Sequence, residues 1–398
     1  MTTLRGGFLI LKSITYMDNE FWEVVAEELK KLLQGDFSSH KDFPYFYTKY
    51  SYPIASPLDG LPILPQTIPE VLLKWAQMDS ESQWNPEDFL FLDLETTGLG
   101  RNQTFAFLIG LGYYEEDQLV VEQIFLPVPE AEVNSFDRLA ELLSRKAVLI
   151  TINGKTFDIP ILESRLLYNR IWLNLREKEH IDLLQLARRL WKNKLPSCAL
   201  ETLEFYLMGK IREEEWDIDS ELIPQTYFQY LQTGEPEALK KVFIHNQLDI
   251  LHTAALFTLI CDSIDYPPVA GYDQRIDYYA LAQLYLRQGD KDKAKYILSD
   301  LLNQNYLTGD VACALGILCK QEGNIIEAEK YFAIATDLFH PDGMLEYAKL
   351  LERRKAYAQA LEVTLKLLHW NLSRPLVNSK RILELEKRVK RLQRKIGD

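Results

Sequence analysis

The residues best suited to chemistry in this sequence are two carboxylates that interrupt an apolar segment, DFLFLDLETTGLG. Asp93 and Glu95 are two residues apart, so on a strand their side chains point to the same side. Two adjacent carboxylates at the end of a buried strand repel each other and lose hydration, and a bound cation relieves both costs. The pair therefore predicts half of a metal site, and the other half must come from elsewhere in the chain.

Two other segments carry groups of the required kind. In TINGKTFDIPIL, Asp158 follows the end of a strand and a turn at Asn153 and Gly154. In VFIHNQLDILHTAALF, the apolar periodicity predicts a helix on which His245 and Asp249, four residues apart, share one face. These segments supply the groups that the strand pair lacks.

The four acids offer only hard oxygen ligands. They are Asp93, Glu95, Asp158 and Asp249. Such ligands suit Mg²⁺ or Mn²⁺ better than zinc. Two such ions can act on a phosphodiester, one by activating water and the other by stabilising the departing 3′ oxygen. His245 lies one helical turn from Asp249 and is placed to orient or deprotonate that water. The pattern predicts a two-metal hydrolytic site.

Composition limits the class of protein. The chain has 398 residues, too many for one ordinary core, and it is 47% hydrophobic and 26% charged, as is typical of soluble globular proteins with two or three domains. No apolar run approaches the roughly 20 residues needed to span a bilayer, and no convincing signal peptide is present. The four cysteines form no CxxC pair. Together these features predict a cytoplasmic location. The net charge of −13 argues against broad coating of nucleic acid but allows a local basic surface.

Four segments are expected along the chain. Residues 1–85 form an accessory segment, in which a helix around Phe21 to Leu33 precedes an aromatic, proline-rich stretch that is either an extended arm packed on the next domain or an exposed binding strip. Residues 86–266 contain three strands, a helix, the strand AVLITIN and two more helices, which predicts an α/β domain with a mixed sheet flanked by helices. Residues 267–373 are helical throughout, and residues 374–398 form a basic C-terminal helix.

The helical segment contains internal repeats. Gly289 and Gly323 are 34 residues apart, as are Ala294 and Ala328, and a third, slightly shorter unit follows. Helix pairs with small residues at their crossing points and this period look like tetratricopeptide repeats. Three helical hairpins without exact periodicity are the alternative, and both readings predict an all-α solenoid.

The motifs DLETTG, NGKTFD and HNQLD resemble the three motifs of the DEDD exonucleases, which have a ribonuclease H-like fold. The resemblance is closer still to bacterial proteins of the YprB type, where such a domain precedes tetratricopeptide repeats; TFAFLIGLGYY, VVEQIFL, HIDLLQLARRLW and LPSCALETLE also agree. It covers roughly residues 88–370. It implies a 3′–5′ exonuclease in which the metal ligands are Asp93, Glu95, Asp158 and Asp249 and the water-positioning residue is His245.

One position departs from the family pattern. The histidine branch of these enzymes usually places its histidine five residues before the last aspartate, whereas the tyrosine branch places its tyrosine four before it. His245 stands four residues before Asp249, at the tyrosine spacing. Two roles therefore remain open for His245, a catalytic one and that of a hydrogen-bonded helix residue.

Several residues near these motifs are candidates for substrate binding, and each has a structural alternative. Thr96 and Thr97 either present backbone N–H groups to the terminal nucleotide or shape the turn after the strand, and Lys155 either approaches a phosphate or is an exposed turn lysine. The segment RRLWKNK either neutralises phosphates and stacks a base, through Arg188, Arg189 and Trp191, or is a solvated helix end with a buried tryptophan. Asp182 is expected to cap the following helix rather than to bind metal.

The last helix is amphipathic. Its apolar stripe fits docking on the last repeat or a short coiled coil, and comprises Ile382, Leu385, Val389, Leu392 and Ile396. The opposite face is basic, so nucleic-acid contact is a second role for a helix that caps the repeats.

Three functions compete. The leading hypothesis is an exonuclease that uses two Mg²⁺ or Mn²⁺ ions on DNA or RNA with a 3′ end, with helical repeats that bind a protein partner. The first alternative is a ribonuclease H-like endonuclease or structure-selective nuclease. The second is a catalytically silent nucleic-acid-binding or protein-interaction scaffold, which would have no need of all four acids.

Overall fold

The computed structural model describes residues 19–55, 60–78, 84–98, 104–213, 215–264, 276–304, 306, 308–374 and 378–397. The chain divides into two compact units, Met1–Ile276 and Asp277–Asp398. The domain boundary predicted at residues 266 and 267 lies outside the described residues.

The first unit is built on one seven-stranded mixed sheet in the order β1-β2-β5-β4-β3-β6-β7. Its strands are β1 (Asp36–Phe37), β2 (Phe46–Pro53), β3 (Phe89–Thr96), β4 (Ala106–Glu115), β5 (Gln118–Phe125), β6 (Val148–Thr151) and β7 (Glu179–Asp182). The β3 strand pairs with β4 in the antiparallel sense and with β6 in the parallel sense. This mixed sheet with flanking helices is the fold class predicted from the sequence.

The sheet extends beyond the predicted strands on both sides. The aromatic stretch expected to be an extended arm supplies β2, which pairs antiparallel with β5 from Phe46 to Pro53. At the other end β7 pairs in parallel with β6. A four-residue strand that runs directly into a helix leaves too short a period-two pattern to be recognised in the sequence.

Helices cover the sheet. They are α1 (Asn19–Leu33), α2 (Glu70–Ala76), α3 (Glu132–Arg145), α4 (Asp158–Tyr168), α5 (Leu183–Trp191), α6 (Leu200–Leu203), α7 (Ile223–Thr233) and α8 (Leu239–Ile264). The central helix α8 packs against β3, β4 and β5. By length and composition alone α8 could cross a membrane, but 72% of its most apolar window is buried inside the protein, as in a core helix of the sheet domain.

The second unit is all-helical. Its helices are α9 (Tyr278–Arg287), α10 (Lys291–Asn303), α11 (Gly309–Gln321), α12 (Ile325–Asp337), α13 (Pro341–Arg353), α14 (Tyr357–Leu372) and α15 (Ser379–Gly397). The turns of the first two hairpins contain Gly289 and Gly323 with φ of 85° and 83°, a left-handed conformation that glycine adopts without strain. Leu385 and Leu392 of α15 join the core of the last hairpin, so this helix caps the series of helices.

Candidate metal centre and active site

The central strand β3 carries the first two acids of the site. Asp93 lies opposite Gly110 of the neighbouring strand, and a β-bulge follows Glu95. A Cβ atom at Gly110 would lie 2.4 Å from Oδ1 of Asn246, so only glycine leaves room for that amide. The Asn246 amide in turn donates a hydrogen bond of 2.8 Å to Oδ2 of Asp93. The glycine on one strand thus lets α8 support the acid on the next.

A chain of hydrogen bonds extends from Asp93 through Asn246 and Gln123 to Thr48 of β2. Oδ1 of Asn246 accepts from Nε2 of Gln123 at 3.0 Å, and Oε1 of Gln123 accepts from the Thr48 hydroxyl at 3.0 Å. Gln123 and Thr48 are both buried. The first link fixes the orientation of the Asn246 amide, because its oxygen must face Gln123 and its NH₂ group must face Asp93.

The third acid begins α4. Asp158 is 4% exposed, and the backbone N–H of Leu94 donates to its carboxylate, which ties it to β3 between Asp93 and Glu95. The turn before it is held by Asp182, whose carboxylate accepts from the backbone N–H groups of Asn153 and Lys155 at 3.0 and 3.1 Å.

Asp182 also caps a helix. Its Oδ1 accepts from the backbone N–H of Leu184 at 3.1 Å, at the start of α5. The prediction that Asp182 acts as a cap is therefore confirmed. The same carboxylate braces the turn that carries Asp158, which the sequence did not indicate.

The remaining two residues lie on α8. Within the described residues, donor atoms of Glu95, His245 and Asp249 all lie within 4.8 Å of one another. Oε1 of Glu95 is buried and has no hydrogen-bond partner among the described residues. A buried carboxylate oxygen without a donor is costly, and a divalent cation is one group that satisfies it. The donors present fit a hard cation.

The acids raise one another's pKa values, in the way expected of an unneutralised cluster. Burial raises the pKa of Asp93 well above its ordinary value, and the charges of Asp249, Glu95 and Asp158 add to this. Burial likewise raises the pKa of Glu95 to about 8 and that of Asp158 to about 7, although backbone hydrogen bonds partly offset the shift of Asp158. Carboxylates that interact so strongly favour binding of a cation.

Arg212 is a site residue that sequence reasoning missed. Its Nη2 lies 2.5 Å from Oδ1 of Asp249, and its side chain also forms two hydrogen bonds with the buried Glu204, of 2.8 and 2.5 Å. Glu204 contacts His252 of α8 as well, at 2.8 Å. Hydrogen bonds from His252 and Arg212 overcome the effect of burial and lower the pKa of Glu204. One of the four predicted ligands is thus ion-paired to a buried arginine.

Asp217, which contacts His245, is a second site residue that sequence reasoning missed. Oδ1 of Asp217 accepts a hydrogen bond of 2.8 Å from Nδ1 of His245. The other ring nitrogen, Nε2, lies 3.6 Å from Oδ2 of Asp249 and 3.4 Å from the Ser220 hydroxyl. Burial alone would lower the pKa of His245, but Asp217 and the site carboxylates raise it to about 9. Asp217 and Arg212 belong to the acidic segment REEEWDIDS, which has no recognisable site motif.

The candidate substrate contacts lie at the end of β3 and in the turn before α4. The Thr96 hydroxyl donates to the Gly98 carbonyl at 2.8 Å, and the Thr97 hydroxyl accepts from the backbone N–H of Phe105 at 3.3 Å. Both threonines therefore shape the turn after β3 in this structure. Lys155 is half-buried next to Asp182, and burial lowers its pKa.

The basic-aromatic candidate is split between surface and core. Arg188 and Arg189 are exposed at the end of α5, whereas Trp191 is 0% exposed. An indole with no accessible surface cannot stack on a base. The prediction that Trp191 stacks on a base is therefore wrong, and the alternative, a buried tryptophan, is what the structure shows. The two arginines keep their role as a prediction.

Comparison with known proteins places this chain in a family. Residues 90–261 match the model of the RNase_H superfamily. The chain is also 31% identical over 340 residues to the uncharacterized protein YprB of Bacillus subtilis (strain 168), an alignment that covers 82% of this chain and 80% of YprB.

The chain belongs to the ribonuclease H superfamily. The matched residues contain all four acids, His245 and the sheet from β3 to β7. Membership confirms the predicted ribonuclease H-like superfamily and the likeness to YprB, and it indicates a nuclease that acts on nucleic acid. The alignment with YprB extends over more of the chain than the nuclease domain alone.

Proposed function

We propose that this protein is a metal-dependent 3′–5′ exonuclease that hydrolyses phosphodiester bonds of DNA or RNA by a two-metal-ion mechanism. The observation that carries the proposal is the buried Oε1 of Glu95, which lacks a hydrogen-bond partner among the described residues. The side chain that carries it belongs to a group, with His245 and Asp249, whose potential metal-ligand atoms lie within 4.8 Å of one another. A catalytically silent scaffold has no use for an unsatisfied carboxylate in its core, because such a group costs stability.

The proposed ligands are Asp93, Glu95, Asp158 and Asp249. Bound Mg²⁺ or Mn²⁺ would activate the attacking water and stabilise the departing 3′ oxygen. The ligands come from three elements: β3, the first turn of α4, and α8. Asn246 and the Leu94 N–H hold two of them in place.

His245 is the proposed positioning group for the attacking water. Asp217 accepts a hydrogen bond from Nδ1, and Nε2 is the ring nitrogen that lies 3.6 Å from Asp249. In this orientation Nε2 can hold a water or exchange a proton with it. The spacing of four residues between the histidine and the aspartate is compatible with this role, because both side chains lie on one face of α8.

The test is degradation of end-labelled single-stranded DNA and RNA with Mg²⁺ or Mn²⁺, comparing the wild type with Asp93→Asn. A metal-dependent ladder from the 3′ end that is absent in the variant is the expected result. Asp117→Asn is the matched control, because this acid is exposed in the turn between β4 and β5. It should retain full activity.

Different results would change the assignment. Internal cuts would favour the endonuclease. Absence of cleavage in a protein that binds Mn²⁺ would indicate a structured substrate or a missing partner. Absence of both cleavage and metal binding would refute the enzyme and leave a scaffold.

The helical unit is proposed to be a tetratricopeptide-like module for a protein partner.

A further inference from the structure

The C-terminal helix α15 has a strongly basic composition in an acidic chain. It contains eight lysines and arginines and two glutamates, while the whole chain has a net charge of −13. Basic residues dispersed over the surface would contribute as much to solubility as basic residues concentrated on one helix. Solubility therefore does not explain why these residues are concentrated on α15.

Part of this charge is structural. Arg388, Arg391 and Lys395 all pair with one acid of α13, Glu352, at 2.8, 3.0 and 3.2 Å. Arg381 pairs with Asp342 at 2.9 Å. These four cations hold α15 against the preceding hairpin, and they account for half of the basic residues of the helix.

The other half forms what we term the outer basic face, which is Lys380, Lys387, Lys390 and Arg394. All four are exposed, and none forms an ion pair within 4.0 Å with any residue in the described part of the chain. Their spacings of seven, three and four residues place them on one side of the helix. A helix turns by about 100° per residue, which places Glu384 on one side of this face and Glu386 on the other.

The apolar side of the same helix is already in use. Leu385 and Leu392 are 3% and 0% exposed and pack in the core with Met344, Leu351 and Leu367. A helix that binds a membrane needs a free apolar face to insert among the lipids. In α15 the central part of that face, Leu385, Val389 and Leu392, is buried, and only Ile396 near the helix end is exposed, so the helix has no continuous free apolar face and its ligand is recognised mainly by charge.

We propose that the outer basic face of α15 binds the phosphate backbone of nucleic acid, as a second contact separate from the metal centre. From Lys380 to Arg394 the four cations span about 21 Å, at 1.5 Å rise per residue. A linear array of this length matches a linear polyanion, and each neutralised phosphate releases counterions. The inference rests on the proposed function only for the identity of the polyanion.

The test is binding of a fluorescent single-stranded DNA of about 30 nucleotides by the full-length chain in EDTA, at about 50 to 200 mM salt. The test variant replaces Lys380, Lys387, Lys390 and Arg394 with glutamine. Its control replaces Lys291, Lys330, Lys355 and Lys366, four exposed lysines of the same unit, with glutamine. Both variants change the net charge equally.

The outer-face variant should bind at least about ten-fold more weakly near 0.1 M salt, and the slope of log K against log salt should become shallower by about 3, or about 0.7 per lost phosphate contact. The control should bind like the wild type. Equal losses of affinity in both variants would show a general charge effect. If neither variant loses affinity, or if the wild type does not bind, the outer basic face does not bind DNA. Each of these results overturns the inference.

Two further arms of the experiment test whether the ligand is a lipid surface and whether binding depends on catalysis. If anionic phosphatidylserine vesicles, but not DNA, bind to the wild type and lose binding in the outer-face variant, the ligand is a lipid surface and the inference is wrong. Because binding is measured without metal, a wild type that binds DNA through α15 but neither cleaves nucleic acid nor binds Mn²⁺ would refute the proposed function and leave the inference intact.

Discussion

Nδ1 of His245 lies 2.8 Å from Oδ1 of Asp217, a residue 28 positions earlier in the chain. The carboxylate can only accept, so Nδ1 carries the proton of this hydrogen bond and Nε2 is the nitrogen that faces Asp249. An aspartate that orients an imidazole in this way fixes which nitrogen meets the reacting groups. Asp217 is therefore a positioning residue for His245.

Replacing Asp217 with asparagine should lower kcat by about 10- to 100-fold, because the imidazole loses the partner that fixes its orientation. KM and Mn²⁺ affinity should change far less, because no proposed carboxylate ligand is removed. Steady-state kinetics on labelled DNA and calorimetric Mn²⁺ titration measure these effects separately. Glu215→Gln, an exposed acid in the same segment, is the control and should retain wild-type kcat. A normal kcat in Asp217→Asn would contradict the positioning role.

Removal of Arg212 should cost about 3–5 kcal/mol of unfolding free energy, because Glu204 would remain buried without its main cationic partner. Urea denaturation of Arg212→Gln measures this cost. The double variant Arg212→Met/Glu204→Leu should recover much of the loss, since it removes both buried charges. If the double variant is as unstable as the single one, the pair is not the source of the stability.

Gly110→Ala should disturb the metal centre from a neighbouring strand. The new Cβ would meet Asn246 at 2.4 Å, and displacing that amide breaks its hydrogen bond with Asp93. We expect metal affinity to fall by about 10-fold or more. Gly316→Ala is the matched control, because its Cβ would meet the Phe332 ring at 2.6 Å in the helical unit.

The two glycine variants should differ in kind. Gly316→Ala should lose stability but keep its Mn²⁺ affinity, whereas Gly110→Ala should lose affinity as well. Thermal unfolding and Mn²⁺ titration of both proteins test this. Equal Mn²⁺ affinities for the two variants would show that the Asn246 contact does not support the centre.

The metal-free protein should become less stable as the pH rises. Glu95 and Asp158 have folded-state pKa values of about 8 and about 7, above their ordinary values of 4.5 and 3.8. Between each ordinary value and its folded-state value, the folded state binds more protons than the unfolded state. Stability therefore falls progressively from about pH 4, and the loss is complete once the pH has passed the folded-state values of about 7 and about 8. Melting in EDTA between about pH 5 and pH 8.5 should show a falling Tm.

The variant Glu95→Gln tests the cause of this pH dependence. It removes one of the acids whose pKa is raised in the folded state, so its metal-free Tm near pH 8 should exceed that of the wild type by at least about 3 °C. Asp117→Asn, with its exposed side chain, should follow the wild type. A Glu95→Gln protein that melts below the wild type at this pH would show that the ionised Glu95 stabilises the metal-free fold.

The sequence by itself determined the central strands, the long helix α8 and the placement of the four acids, because these features rest on local periodicity and on motifs of a few residues. It also indicated the amphipathic nature of α15. It did not reveal strand β2, because an aromatic stretch with prolines is compatible with both a packed arm and a paired strand.

Only the tertiary structure decided what surrounds the acids. Asp217 and Arg212 reach α8 across 28 and 37 residues, and Asn246 reaches Asp93 across 153. Which loop returns to a site depends on how the whole sheet packs, and spacing along the chain carries no record of it. The sequence therefore specified the groups that could bind metal, while the fold decided which of them are paired, which are oriented, and that one oxygen of Glu95 is left without a partner among the described residues.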